Sequence, residues 1–467
     1  VAVDAASIAV DVAVVGGGLA GLTLARDVHR RGRTPLVLEA ASRLGGVIRS
    51  ERVDGVLVEG GPDAMLVQKP AALALCRELG LADEIVPTES PRTAFVLADG
   101  RLHAFPPDTR LGLPLTRAAA EGLTMLSGAD RARVARDFDA PAPPAGADDE
   151  SVGAFTTRRF GEAFTRRIAQ PLLGGIHAGD VERLSLRALF PPLADADAAG
   201  GSVLAVLAAR AGAADGDGAF RGLRGGMGQL PAALTRALPG AALRTGEPVA
   251  RITPGQPFRV VTARGLEVTA RAVVLAVPAA VASRLVAPFE ATLAGACGEL
   301  RAVSSATVTL GYGRDSVAHP CDGMGFIVPR GESTRLLAVS WVSSKWAGRA
   351  PQDRVVLRAF AGGAFDADVL EAGDDALVAQ THADLARILG ITGPPVLARV
   401  HRWNDASPQY DVGHLARVAR ITQQQALTPG LFLTGSAYRG VGMPDVIADA
   451  RATADRVCEW LEREGRA

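Results

Sequence analysis

Lysine, cysteine, aromatic side chains and long apolar runs are all scarce in this chain of 467 residues, and each scarcity removes a class of protein. Lys69 and Lys345 are the only lysines, all other basic residues being arginine, a bias of coding composition; the formal net charge is zero and no long basic run exists, so no nucleic-acid partner is expected. Cys76, Cys297, Cys321 and Cys458 are far apart and form no Cys-x-x-Cys pair, which disfavours a disulfide framework, a redox dithiol and a thiolate metal site. The seven histidines, at 29, 103, 177, 319, 382, 401 and 414, are equally dispersed, and no metal centre is expected. No uninterrupted apolar segment reaches the roughly 18 residues of a membrane span. Val1, Ala2, Val3 and Asp4 lack the basic-then-apolar pattern of a secretory leader. A cytoplasmic protein is expected, with peripheral membrane contact left open.

What the chain has is glycine, 53 residues of it, concentrated where it counts. The mainly apolar run 10–15 reads as a buried parallel strand, and Leu22, Leu24, Ala25 and Val28 space as one face of a helix. Between them lies Gly16-Gly17-Gly18-Leu19-Ala20-Gly21, a strand-turn-helix fingerprint for a dinucleotide. Gly16 suits the tight turn, Gly18 a close approach of backbone to pyrophosphate, and Gly21 the packing of helix on strand. Gly32 then ends the helix. A second strand, Pro35-Leu36-Val37-Leu38-Glu39, ends in a carboxylate about 20 residues past the fingerprint, where it meets ribose hydroxyls and repels a 2′-phosphate. A Gly-rich turn in an unliganded unit of the same shape is the bland alternative, and Glu39 weighs against it.

Arg43-Leu44-Gly45-Gly46 follows directly. It resembles the Arg-x-Gly-Gly element of the flavoproteins that include amine oxidases and porphyrinogen oxidases, which turns a dinucleotide into FAD. Arg43 offers a fork for phosphate, and the glycines let the chain pass over the cofactor; taken alone, a surface arginine before a flexible turn is the better reading. A second glycine turn, Gly435-Ser436-Ala437-Tyr438-Arg439-Gly440-Val441-Gly442, lies at the far end of the chain after a short strand, 431–434. Another strand of this type, 272–277, lies mid-chain.

The expected fold is α/β plus α+β: a Rossmann-like FAD domain in discontinuous segments, an antiparallel-sheet substrate domain and an inserted helical domain. The segments expected are 1–68 (FAD), 69–94 (substrate), 95–204 (helical), 205–221 (loop and return), 222–290 (FAD), 291–402 (substrate) and 403–467 (FAD). Residues 151–173 read as an amphipathic helix with Ser151 as N-cap. Loops are expected at 140–146 and 215–218. Alternating runs at 305–310 and 354–360 predict the antiparallel sheet.

Gly174-Gly175-Ile176-His177-Ala178-Gly179-Asp180, Ser407-Pro408-Gln409-Tyr410-Asp411 and the C-terminal turn together resemble the oxygen-dependent porphyrinogen oxidases of haem biosynthesis, across essentially the whole chain. Trp341 to Trp346, Gly325-Phe326-Ile327-Val328 and Gly112-Leu113-Pro114 are most similar to the soluble bacterial branch that oxidises coproporphyrinogen III; protoporphyrinogen IX is the alternative substrate. The resemblance implies non-covalent FAD held by Gly16, Gly17, Gly18, Leu19, Ala20, Gly21, Glu39, Ala40, Arg43, Gly46, Gly61, Pro62, Asp63 and Ala64. It extends to Val249, Trp403, Gly435, Ser436, Val441, Gly442 and Met443. Residues 442–445 begin a helix whose positive end faces the flavin. Implied partners are a porphyrinogen and dioxygen, with the protein a monomer or homodimer.

No nucleophile or catalytic residue is assigned, because the cofactor carries the chemistry. Two positions depart from the family pattern. Ala94 stands where many relatives have a carboxylate-binding arginine, and His177 where they have Tyr or Phe, leaving His177 as a catalytic group, a substrate contact or a structural substitution. A flavin amine oxidase is the rival enzyme, disfavoured because residues 302–312 contain no lysine and the C-terminal turn no cysteine. A non-catalytic flavin-binding scaffold is the rival outside enzymology.

Overall fold

A computed structural model of the chain describes residues 8–139, 149–210 and 218–465. The expected loop at 140–146 and most of that at 215–218 lie outside the described residues. Two seven-stranded sheets dominate, and neither is built from one stretch of sequence.

In the first sheet the strand Ile8–Val15 lies between Pro35–Glu39 and Glu267–Leu275, parallel to both. Leu243–Thr245 extends one edge in parallel, while Phe258–Thr262 and Val249–Thr253 add an antiparallel flap on the other. Leu431–Leu433 pairs in parallel with Glu267–Leu275, so residues from both ends of the chain share one sheet. Its central strands are buried on both faces, which is why they read as apolar runs and not as alternating ones. Helices Leu19–Arg30 and Met443–Glu464 pack together on one face, with Leu22, Leu24, Val28, Ile447, Ala450 and Val457 fully buried.

The second sheet runs in the order Leu397–Pro408, Ala302–Gly313, Arg354–Gly362, Leu336–Trp341, Gly325–Ile327, Ala94–Ala98, Arg101–Ala104. One face carries Phe326, Val339, Trp341, Leu357, Ala359, Val308 and Leu310 into a closed core beneath the helix Asp374–Leu389. The other face bears the polar and small residues that matter below.

Against Val96, Ala98 and Ile327 of the second sheet packs a helical region whose core includes Phe155, Phe160, Phe164 and Ile168. Ser151 caps the helix Val152–Phe160 by accepting from the Ala154 N–H. The single helix expected over 151–173 is broken: Gly161, at φ +99°, ends the first piece, and the chain resumes as a wider π-helix, Thr165–Gly174, containing Pro171. An α-helical ladder cannot pass a left-handed glycine, and Pro171 cannot donate to one.

Three segment limits also differ from expectation. Strands Ala94–Ala98 and Arg101–Ala104 belong to the second sheet, so the helical insertion starts after them and not at 95. Helix Ala71–Glu78 buries Ala72, Leu75 and Cys76 in the core of the first sheet, although 69–94 was assigned to the second. Helix Val203–Arg210 runs past 204, and Val206 and Leu207, expected on a returning loop, pack against the helical core. In each case the apolar residues choose the core, and the chain follows them.

Candidate active site

The first glycine turn is shaped by contacts that only glycine permits. At Gly16 φ is +105°, and its N–H donates to the Leu38 carbonyl at 2.9 Å. A Cβ on Gly21 would lie 1.9 Å from the Gly16 carbonyl oxygen, whereas one on Gly18 would meet nothing nearer than Gly46 Cα at 3.9 Å. Gly21 therefore serves packing, and Gly18 borders open space. The helix begins at Gly18 with no side-chain cap and no acidic residue in its first turn. Its free N–H groups suit an anion. By contrast, Ser151 caps its own helix.

Glu39 closes this cradle. Its carboxylate accepts from the Gly17 N–H and the Ala41 N–H, each at 2.7 Å. Its carbonyl accepts from the Glu247 N–H, two residues before Val249 in the chain. A shift of register between Val249 and Arg251 interrupts the ladder there. Arg43 does not extend into the opening as a phosphate fork: its guanidinium donates to the carbonyls of Leu44, Gly46 and Ile48 at 3.4, 2.5 and 3.2 Å. Those acceptors are within its own turn, so Arg43 shapes the loop that passes Gly18.

The second glycine turn arrives beside the first, as an added Cβ on Gly435 (φ +122°) would find only Ala20 Cβ within 4 Å, at 3.9 Å. Helix Met443–Glu464 starts at Gly442, again without a side-chain cap. Tyr410 anchors this turn. Its hydroxyl donates to the Ser436 carbonyl (2.7 Å) and accepts from the Gly440 N–H (2.8 Å), while its ring stacks on His414 at 3.6 Å. Gln409 in turn donates to the His177 carbonyl at 2.9 Å. The three separated motifs around 174–180, 407–414 and 435–442 thus converge.

The segment 60–64 is held from the second sheet. Thr307 and Trp403 donate to the Gly60 carbonyl at 3.0 and 2.8 Å, and Arg358 donates to the Gly61 carbonyl. Lys345 and Trp346 reach Asp63 at 2.8 and 3.2 Å. Burial would push the Asp63 carboxyl up, but Lys345 and Arg358 override it and hold the group far below the usual carboxylate range. Because a trans peptide opposes its C=O and N–H, the Gly61 N–H points away from the second sheet.

Paired positions then lay out one face of the second sheet. Ala94, Gly325, Ser340, Arg358 and Thr309 form one lateral row, and Val96, Ile327, Ala338, Phe360, Thr307 and His401 the next. Ala94, Ile327, Ala338, Ser340 and Phe360 are only half-buried on this face, unlike the closed opposite face. Sequence reasoning named Ala94 but missed Ala338, Ser340, Arg358 and Phe360, since a row across a sheet leaves no mark in a linear sequence. The arginine missing at Ala94 is not restored nearby in its row: the row's next cation is Arg358, three strands or roughly 14 Å away.

His177 ends a short 3-10 turn, with its ring 6.1 Å from that of Phe190 and its Nδ1 buried without a partner. Burial pushes its imidazole down to about 4, so at neutral pH it is uncharged.

A glycine turn closed by a carboxylate and two helix starts without side-chain caps, set against a separate sheet, make a site suited to a dinucleotide. The chain belongs to the family described as flavin containing amine oxidoreductase, whose model matches residues 19–458, and its cofactor is FAD. It is 30% identical to the coproporphyrinogen III oxidase of Bacillus subtilis (strain 168), over 96% of this chain and 98% of that one. It is 34% identical to the coproporphyrinogen III oxidase of Mycobacterium leprae (strain TN), over 97% and 98%. A crystal structure from Exiguobacterium sp. 255-15, described provisionally as a protoporphyrinogen oxidase, superposes with a TM-score of 0.87 at 29% identity, covering 98% of this chain and 99% of that one.

Proposed function

We propose that this protein is an oxygen-dependent porphyrinogen oxidase of haem biosynthesis that converts coproporphyrinogen III to coproporphyrin III, with hydrogen peroxide as co-product. The observation that carries this reading is the half-buried, mostly apolar face bearing Ala94, Ile327, Ala338, Ser340 and Phe360, on the sheet that also holds the 60–64 segment. A flat macrocycle needs an apolar wall and positioning, not a nucleophile. FAD, when bound, would supply the redox chemistry, hydride uptake and reoxidation by dioxygen, three rounds accounting for the six electrons.

The chain's own residues would do the rest. Gly16 to Gly21, Glu39 and Ala40 would hold the adenosine and pyrophosphate, with Val249 at the adenine. Gly46, Gly61 to Ala64, Trp403, Gly435, Ser436 and Val441 to Met443 would surround the flavin. Arg43 would act through the loop it closes. His177 would contact substrate or fill space as a neutral ring. The same reading gives three interleaved domains, a monomer or homodimer and a cytoplasmic location; among the described residues no helix is long and apolar enough to cross a membrane.

Protoporphyrinogen IX is the second reading, favoured by the Exiguobacterium neighbour. The test is anaerobic mixing of the yellow protein with each porphyrinogen. Coproporphyrinogen III should bleach the flavin, and air should restore the colour. Faster bleaching by protoporphyrinogen IX would reverse the substrate assignment, bleaching by amines alone would make it an amine oxidase, and a flavin that none of them reduces would leave a scaffold.

A further inference from the structure

Beneath the 60–64 segment the second sheet gathers more positive than negative charge. Arg349 pairs with Glu59 at 2.8 Å, their side chains 1% and 3% exposed, and Glu59 also accepts from the Met227 N–H. Lys345 pairs with Asp63 at 2.8 Å. Arg358, 3% exposed, makes its hydrogen bond to the Gly61 carbonyl, a neutral acceptor. The charged groups acting on Arg358 are Asp63, Glu59 and Arg349, and burial lowers the affinity of His401, two strands away, for a proton. Three cations thus face two carboxylates.

Two further details show that Arg358 is not used up by the fold. Its Nε is buried with no partner, as is the Oγ1 of Thr309, its neighbour in register. Its guanidinium lies over the ring of Phe360, 4.7 Å from the centroid, and Phe360 belongs to the half-buried face. A buried ion without its own counter-charge is costly, and such surpluses concentrate at functional sites.

We propose that Arg358 is a positioning residue that holds the Gly61 peptide and whose surplus charge raises the two-electron reduction potential of the bound flavin. The inference rests on the reading of residues 61–64 as a flavin contact. A hydride brings two electrons and one proton, so its arrival leaves one net negative charge, which a cation behind the 60–64 segment favours. Arg358 touches neither substrate nor cofactor in this account. It acts through the segment and through its field.

The experiment is a dye-equilibrated redox titration of the full-length FAD-loaded protein with an artificial reductant, comparing wild type with Arg358→Met, Arg358→Lys and Asp63→Asn. Arg358→Met should shift the reduction equilibrium about tenfold toward the oxidised form, equivalent to about 30 mV for a two-electron couple. Arg358→Lys should restore most of the potential. Asp63→Asn removes an anion and should move the potential the opposite way. Shifts of the same sign in Arg358→Met and Asp63→Asn, or no shift in either with flavin retained, would overturn the proposal by leaving only a structural role. Should Arg358→Met fail to retain flavin, the sign of the Asp63→Asn shift decides. Since no porphyrinogen takes part, failure of the substrate reading leaves this result intact, while a wild-type protein that binds no flavin would end both.

Discussion

The two large sheets carry their parts of the site in different places. The first presents its residues at strand ends, where Gly16 to Gly21, Glu39 and Gly435 are consecutive or nearly consecutive in their turns. The second presents its residues on a face, where Ala94, Ser340, Arg358 and Thr309 come from four strands and meet only through register. A turn must satisfy exact steric conditions, whereas a face is a surface whose members vary one at a time. The first kind of site should therefore fail sharply on substitution and the second gradually.

The sharpest break in that contrast is Gly21→Val. With a Cβ only 1.9 Å from the Gly16 carbonyl oxygen, the helix cannot sit on its strand. Side-chain overpacking costs about 1–3 kcal/mol, but a clash with a backbone oxygen cannot be relieved by repacking, so the cost here exceeds that range and falls on the cradle itself. We expect a protein that loses its yellow colour on gel filtration. A variant that keeps it would show that strand-end sites are no stricter than face sites.

Next in size is Arg349→Met, which leaves Glu59 charged and buried between the two regions. Breaking a buried pair from one side costs about 3–5 kcal/mol. Urea unfolding should show a loss of that order, and a loss below about 1 kcal/mol would place the pair among weakly coupled surface bridges.

The smallest effect is expected from His177→Phe, on the substrate side. The His177 imidazole is pushed down to about 4 by burial from an ordinary value of 6.5, so the unfolded chain takes up its proton first as pH falls. Stability contributed by the neutral ring is full above 6.5 and is lost as pH drops toward 4. His177→Phe should unfold at lower pH than the parent and keep the same pH–rate profile between about 5 and 8, where His177 does not titrate. A profile that loses a limb in this range would make His177 an acid–base group.

The same contrast explains how much was legible in the sequence. The helix from Leu19, the strand to Glu39 and the helix from Met443 were readable because a turn that needs glycine announces itself, and because strands buried on both faces are continuously apolar. Arg43 was readable as part of the site but not in its orientation, since nothing in a sequence says that loop carbonyls will claim a guanidinium first. Phe360 and Arg358 sit on an ordinary alternating strand, and only pairing with Ala338, Ser340, Thr307 and Thr309 makes them neighbours. The helix expected over 151–173 failed at Gly161 because a 3.6-residue pattern continues across a kink that the backbone cannot.

The strand Leu431–Leu433 joins the sheet begun by Ile8–Val15, and the turn after it completes the cleft. Synthesis runs from the N-terminus, so a ribosome must make nearly the whole chain before Gly435 can meet Ala20. Both insertions can collapse on their own apolar residues during that wait. Until residues 431–442 are in place the cleft lacks its second glycine turn, and chains truncated before it are expected to hold FAD poorly.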